Sequence, residues 1–188
     1  SADHCVFPSR EMLELQRVHL LGARATLATA LHVVPHGVPV HRAAASQRRV
    51  HGHLLWPVSV ERGLGALLRH LGELAAALGE APASGGGGGA ELRLFVCHEA
   101  RGYHRRRQAD LRGVAGPRVT FMGMLPPAPL ARMYAGCSLF VFPSHVPAAF
   151  SIATWECLAH GVVAVRHGLG ARASPGPCGA VVLPPGGP

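Results

Sequence analysis

"SLFVFPSHVPAAFSIATWECLAHGVVAV", residues 138–165, decides the fold. It opens with an apolar run of strand length, "SLFVFPS" (138–144), that ends at Pro143–Ser144. "HVPAAF" (145–150) reads as a loop. "SIATWECLAHG" (151–161) reads as a helix, with Ser151 as its N-cap and Gly161 placed to end it. "VVAV" (162–165) is a second strand. Strand, helix, strand in that order is a βαβ unit with parallel strands. One residue stands out in it: between Arg132 and Arg166, Glu156 is the only Asp, Glu, Lys or Arg.

The pattern repeats outward. Further apolar runs of strand length are "LHVVP" (31–35), "RVHGHLLW" (49–56), "LRLFVC" (92–97), "RVTFMG" (118–123) and "AVVL" (180–183). They are nearly all apolar rather than alternating, as in strands buried on both faces of a parallel sheet. Between them lie helical patterns. "GLGALLRHLGELAAALG" (63–79) carries Leu64, Leu67, Leu68, Leu71, Leu74 and Leu78 on one stripe. "PLARMYAG" (129–136) and "REMLELQRVHLLG" (10–22) are two more. The expected fold class is α/β, a Rossmann-like doubly wound parallel sheet, in which ligands bind beyond the carboxyl ends of the strands. "GEAPASGGGGGAELR" (79–93) precedes a strand instead of following one. Residues 80–90 therefore read as a Gly-rich flexible loop, not a phosphate loop.

The helix beginning at Ser151 aims its free backbone N–H groups and dipole at the crevice above the strand ends, where they favour an anion such as a diphosphate. Glu156 sits about a turn and a half into that helix. Phe150, Thr154, Cys157 and Leu158 can turn inward while Glu156 faces the crevice. There a carboxylate can accept two hydrogen bonds from a ribose diol. Solvent, or a distant arginine, are the other partners open to it.

Composition removes other classes. The net charge is +8 and all 18 basic residues are arginine, with Ala, Gly, Pro and His also plentiful, a pattern that GC-rich codons produce. The tightest basic run, "HRRRQADLR" (104–112), has only Tyr103 beside it, so nucleic-acid binding is not expected. No apolar stretch is long enough for a membrane span. The five cysteines are widely spaced, and Cys97, Cys137 and Cys157 lie inside apolar runs, as buried free thiols would. His51 and His53 would share a strand face, but no acidic or thiol ligand lies near them, so no metal is expected.

"RVTFMGMLPPAPLARMYAGCSLFVFPSHVPAAFSIATWECLAHGVVAVRHGLGA" (118–171) resembles the donor-binding domain of GT-B glycosyltransferases of family four, the glycosyl transferases group 1. The order of its parts carries the resemblance: a strand ending at Gly123, a helix ending in Tyr134–Ala135, a strand ending in Pro143–Ser144, then the loop and the "TWECLAHGVVAV" helix and strand. Upstream, "LHVVPHGVPV" is similar to the family's Val-Ile-Pro-Asn-Gly-Val segment, and "WPVSVERGL" to its Gly-Arg…Glu-Lys-Gly segment.

The resemblance implies a retaining enzyme that takes a nucleoside-diphosphate sugar as donor and needs neither a bound metal nor another cofactor. Glu156 matches the second glutamate of the family's Glu-seven-residues-Glu motif, which contacts the donor's ribose. Phe150 and Ser151, with Ala149 just ahead of them, match the loop whose N–H groups meet the donor phosphates. Arg62 matches the lysine that clamps the diphosphate and is the expected catalytic cation; arginine keeps the charge but not the shape. Gly123 and Met124 fall where the base edge is held. Residues 1–188 would then be a nucleotide-sugar-binding domain, incomplete at both ends, one half of a GT-B fold. The acceptor is unknown and its N-terminal domain absent, the expected location is cytoplasmic or at the cytosolic face of a membrane, and the piece alone should not turn over.

Three departures bear on this. Ala148 stands where the motif has its first glutamate, Trp56–Pro57 where the family has Gly-Arg, and His36 where it has Asn. They favour, as the alternative, a degenerate non-catalytic nucleotide-sugar-binding module. A GT-B-like epimerase is disfavoured by the Pro-Ser…Phe…Glu order.

Overall fold

The computed structural model describes residues 4–21, 30–38, 47–80, 91–99, 104–144, 151–167 and 180–183. Two parallel sheets form. In the first, β1 (His4–Phe7) pairs with β2 (Ala30–Val33), with α1 (Arg10–Leu21) between them in the chain. Ser9 starts α1, its hydroxyl accepting the Met12 N–H at 3.2 Å.

The second sheet is the body of the fold. Its strands are β3 (His53–Trp56), β4 (Arg93–Val96), β5 (Val119–Phe121), β6 (Leu139–Phe142), β7 (Val163–His167) and β8 (Ala180–Leu183). Their spatial order is β5-β4-β3-β6-β7-β8, and every pairing is parallel. The chain enters at β3, runs outward to β5, then returns to the other side of β3 as β6 and runs outward to β8. This is the doubly wound order, and it reverses between β3 and β6, where Leu54 pairs with Leu139. The crossovers are α2 (Leu64–Glu80), α3 (His104–Val114), α4 (Pro127–Gly136) and α5 (Ile152–Ala159).

The apolar strands are buried as their composition requires. Leu54, Leu55, Leu94, Val96 and Phe140 are sealed from solvent, and the Trp56 indole stands edge-on to the rings of Phe140 and Phe142, at 6.3 and 6.1 Å. Leu64, Leu67 and Leu71 of the α2 stripe are buried, with Leu68 and Leu74 packed partly against the same core. Each such side chain contributes about 1.5–3 kcal/mol of burial.

Several boundaries differ from the sequence reading. The run 49–56 yields a strand only from His53, because residues 51–52 form a turn with Gly52 at φ +83°. β7 continues through Arg166 and His167, past the end of the apolar run. β1 and α3 were not anticipated. α3 is the arginine-rich run itself; Gln108 is its only buried residue, so it has no apolar stripe to announce it. Its Arg112 guanidinium lies over the Phe121 ring, 5.1 Å from the centroid. Cys97, Cys137 and Cys157 are free and buried, as their apolar surroundings imply. The Gly-rich residues 81–90 lie outside the described residues.

Candidate functional site at the sheet reversal

The carboxyl ends of β3, β5 and β6 converge on the crevice side of the sheet. After β3 the chain makes a 3-10 turn, Val60–Arg62, ended by Gly63 at φ +108°. Gly63 backs directly onto the Pro143 carbonyl at the end of β6, so the turn that carries Arg62 is held beside the β6 exit. Arg62 is half-buried, and its guanidinium makes no hydrogen bond or ion pair with a described residue. Beside it, Glu61 titrates below the ordinary glutamate range. Burial would raise it, but the Ser59 hydroxyl, its own backbone N–H and the nearby His104 and His98 outweigh that effect.

After β6 the chain re-enters the described residues at Ser151, which occupies the N-cap position of α5. Its hydroxyl bonds to the Thr154 hydroxyl at 2.7 Å instead of to a backbone amide. In the first turn of α5 the Thr154 N–H already donates to the Ser151 carbonyl at 3.0 Å, which leaves those of Ile152 and Ala153 without an acceptor inside the helix. Ala148, Ala149 and Phe150 lie outside the described residues. Thr154 and Cys157 turn into the core and Leu158 packs against it, which leaves Glu156 on the outer side of the helix.

Glu156 does not face bulk solvent alone. The Tyr134 hydroxyl of α4 donates to its Oε2 at 2.6 Å. Tyr134 is 3% exposed, and burial above all pushes its hydroxyl far above the usual range, so it remains a donor. His160, just past α5, stacks on the Tyr134 ring at 5.2 Å and 19°, and its Nδ1 donates to the Glu156 carbonyl at 2.8 Å. These side chains wall a concavity of about 210 Å³. α4 supplies Pro127, Leu130, Ala131 and Tyr134, α5 supplies Glu156 and the chain beyond it His160, and Leu125 closes it from the β5 side. Among the described residues the ion pairs are His70–Glu73 and Glu91–Arg93, so the Glu156 carboxylate has no guanidinium partner there. Its Oε1 makes no hydrogen bond to a described residue.

Gly123 and Met124 occupy the turn that leads from β5 to Leu125. Gly123 takes φ +72° with open space where a Cβ would stand, so the conformation and not a close neighbour calls for glycine. Met124 is exposed. Glu156 and Leu125 thus line one concavity, while Gly123, Met124, Ser151 and Arg62 are not among the residues that line it. Tyr134 and His160 are the residues that motif reading undervalued. Tyr134 is legible as a helix-end marker, but its bond to Glu156 spans two helices and leaves no local sequence signal. Trp56 is wholly buried, and Pro57, next in the chain, offers neither cation nor N–H.

The fold defines a doubly wound α/β domain whose strand order reverses between β3 and β6, with a concavity between α4 and α5. The family model for glycosyl transferases group 1 matches residues 88–188, more than half of the chain, and the chain belongs to that family. Solved structures agree in fold. The pneumococcal O-GlcNAc transferase GtfA, in complex with UDP and GlcNAc, superposes with a TM-score of 0.65 at 14% identity, covering 89% of this chain and 30% of that one. Sucrose-phosphate synthase from Thermosynechococcus elongatus gives 0.62 at 21%, covering 98% and 46%. The α,α-trehalose 6-phosphate synthase from Burkholderia multivorans gives 0.65 at 12%, covering 96% and 48%. The chain therefore spans half or less of the length of these proteins. No curated protein sequence matches it. No helix among the described residues is long and apolar enough to cross a membrane.

Proposed function

We propose that this chain is the donor-binding part of a retaining glycosyltransferase that uses a nucleoside-diphosphate sugar. The observation that carries this reading is the Glu156 carboxylate, lining a concavity between α4 and α5 with one oxygen held by Tyr134 and the other without a described partner. A ribose diol supplies the donors such an oxygen lacks. The base edge then falls against the Gly123–Met124 turn, and the diphosphate against Ser151 and the free amides of α5, with Ala149 and Phe150 immediately ahead in the sequence. As the bond from the anomeric carbon to the phosphate oxygen breaks, negative charge grows on the diphosphate. The amides opening α5 and the Arg62 guanidinium are the groups that stabilise it. No step calls for a bound metal or other cofactor. That the pneumococcal relative binds UDP and GlcNAc supports this choice of donor class. The acceptor would dock on a second domain of the complete enzyme, on the cytosolic side.

Calorimetric titration of the 188-residue chain with uridine, guanosine and adenosine diphosphates tests the reading. One of them should bind, and Glu156→Ala should weaken that binding by roughly tenfold or more while thermal denaturation shows an intact fold. Absence of binding to all three, or unchanged affinity in the variant, would contradict it.

A second reading rests on Trp56–Pro57. The core claims the indole, and the following proline supplies no charge where the family has arginine. This favours a module that binds a nucleotide sugar without transferring it. Donor hydrolysis by the product of the full reading frame separates the two: turnover supports the transferase, and binding without turnover supports the module.

A further inference from the structure

We infer that Tyr134 is a positioning residue: its buried hydroxyl fixes the rotamer of Glu156, so that the free carboxylate oxygen meets the ribose hydroxyls of a bound nucleotide. The inference rests on the donor-binding reading above and adds to it the device that aims the carboxylate.

Three features of the structure carry it. First, the 2.6 Å bond joins a side chain from α4 to one from α5, so it sets one helix relative to the other as well as holding the carboxylate. Second, the phenol cannot swing away. Its ring is sealed in the core and is covered on one face by the His160 imidazole. His160 in turn is pinned to the Glu156 backbone through Nδ1, which must be the protonated nitrogen because a carbonyl can only accept. Third, the remaining walls of the concavity are Leu125, Pro127, Leu130 and Ala131, none of which has a side-chain donor. Without the phenol, none of those four side chains can hold the carboxylate in one pose. A half-buried glutamate has three side-chain torsions to lose on binding, and fixing them beforehand removes that cost from the ligand. The phenol also acts on one oxygen only, which divides the carboxylate into an anchored atom and a ligand-facing atom.

The test is a ratio. Whichever of uridine, guanosine or adenosine diphosphate binds is titrated alongside its 2′-deoxy and 3′-deoxy counterparts, into the whole chain and into Tyr134→Phe. The native chain should prefer the ribose form by roughly tenfold, the worth of one charge-assisted hydrogen bond. Tyr134→Phe should reduce that preference to about threefold or less, with affinity for the deoxy forms little changed. A merely structural role would weaken ribose and deoxyribose forms alike and leave the ratio intact, and that result overturns the inference. Should Tyr134→Phe fail to fold, His160→Ala serves instead. It keeps the hydroxyl but frees the ring to turn, and must also lower the ratio; an unchanged ratio overturns the inference there as well. A native chain that binds none of the diphosphates, or binds ribose and deoxyribose forms equally, contradicts the donor-binding reading itself. Native discrimination that survives in the variants contradicts only the role of Tyr134.

Discussion

Gly63 and Pro143 meet so closely that a β-carbon added to Gly63 would stand 2.7 Å from the Pro143 carbonyl oxygen. The two residues follow β3 and β6, the strands between which the sheet reverses. The obstructing atom is backbone and cannot rotate aside, and φ at Gly63 is +108°. Gly63→Ala should therefore cost about 2 kcal/mol or more in urea denaturation. It should also weaken diphosphate binding, because the Arg62 turn would be pushed from the β6 exit. A denaturation midpoint equal to that of the native chain would contradict this close approach.

Arg49 donates from its two terminal nitrogens to the His160 and Gly161 carbonyls at the end of α5. It satisfies orphan acceptors and places positive charge at the negative end of the helix dipole. Arg49→Ala should lower stability by about 1–2 kcal/mol. Arg49→Lys should recover only part of that, since an ammonium cannot bridge two carbonyls with a planar fork. Equal stability of Arg49→Ala and the native chain would show that α5 needs no such clasp.

Acid should destabilise the fold in two stages. Burial lowers the pKa of His98, and burial followed by the Arg93 charge lowers that of His53, from 6.5. The unfolded chain therefore takes up protons first, and stability falls as pH drops below about 6.5, until the folded imidazoles also protonate. For Glu61, burial is outweighed by the Ser59 hydroxyl and other hydrogen-bonding and charge effects, and its pKa lies below 4.5. Its contribution is present above that value and is lost as pH falls through the lower folded pKa. Tm measured against pH should show both stages, and His98→Gln should shrink the first. A Tm that rises on acidification from neutral pH would refute this.

Burial raises the pKa of Cys97 and of Cys137 to about 12 and that of Cys157 well above the usual thiol range. Maleimide labelling followed by peptide mapping should modify Cys5 promptly and these three only under unfolding conditions. Labelling of Cys157 in the native state at the rate of Cys5 would contradict the packing of α5 on the sheet.

Pro57 is half-buried and follows the last residue of β3, so a long cationic side chain there can reach the crevice without entering the core. Pro57→Arg should raise diphosphate affinity several-fold, with a steeper salt dependence. Trp56→Gly, by contrast, should cost about 3–5 kcal/mol, because it empties a filled core position. Unchanged affinity in Pro57→Arg would place the diphosphate away from this strand exit.

The parts of the fold that bury apolar surface were readable in the chain. The runs at 92–97, 138–144 and 180–183 each contain a strand, and the leucine stripe of 63–79 is α2, because burial on both faces or on one stripe leaves a compositional trace. α3 left none, since it exposes arginines on most sides and buries little but Gln108. β1 was hidden for a related reason: four residues, half of them exposed, make too short an alternation. The site divides in the same way. Glu156 is visible as the one charge in an apolar stretch, and Gly123 as a glycine after a strand. What holds Glu156 is not visible, because Tyr134 and Glu156 meet through the packing of one helix beside another.

Arg62 and the concavity of residues 125–160 belong to no contiguous piece of the polypeptide. They take up their relative positions only when Leu139 comes to lie beside Leu54, after the intervening strands have gone out to the far edge and the chain has come back. Pairings of such long range are made late and slowly, whereas helices form within microseconds. In a refolding experiment, nucleotide uptake should therefore lag the far-ultraviolet helical signal, and its delay would time the closure of the two halves of the sheet.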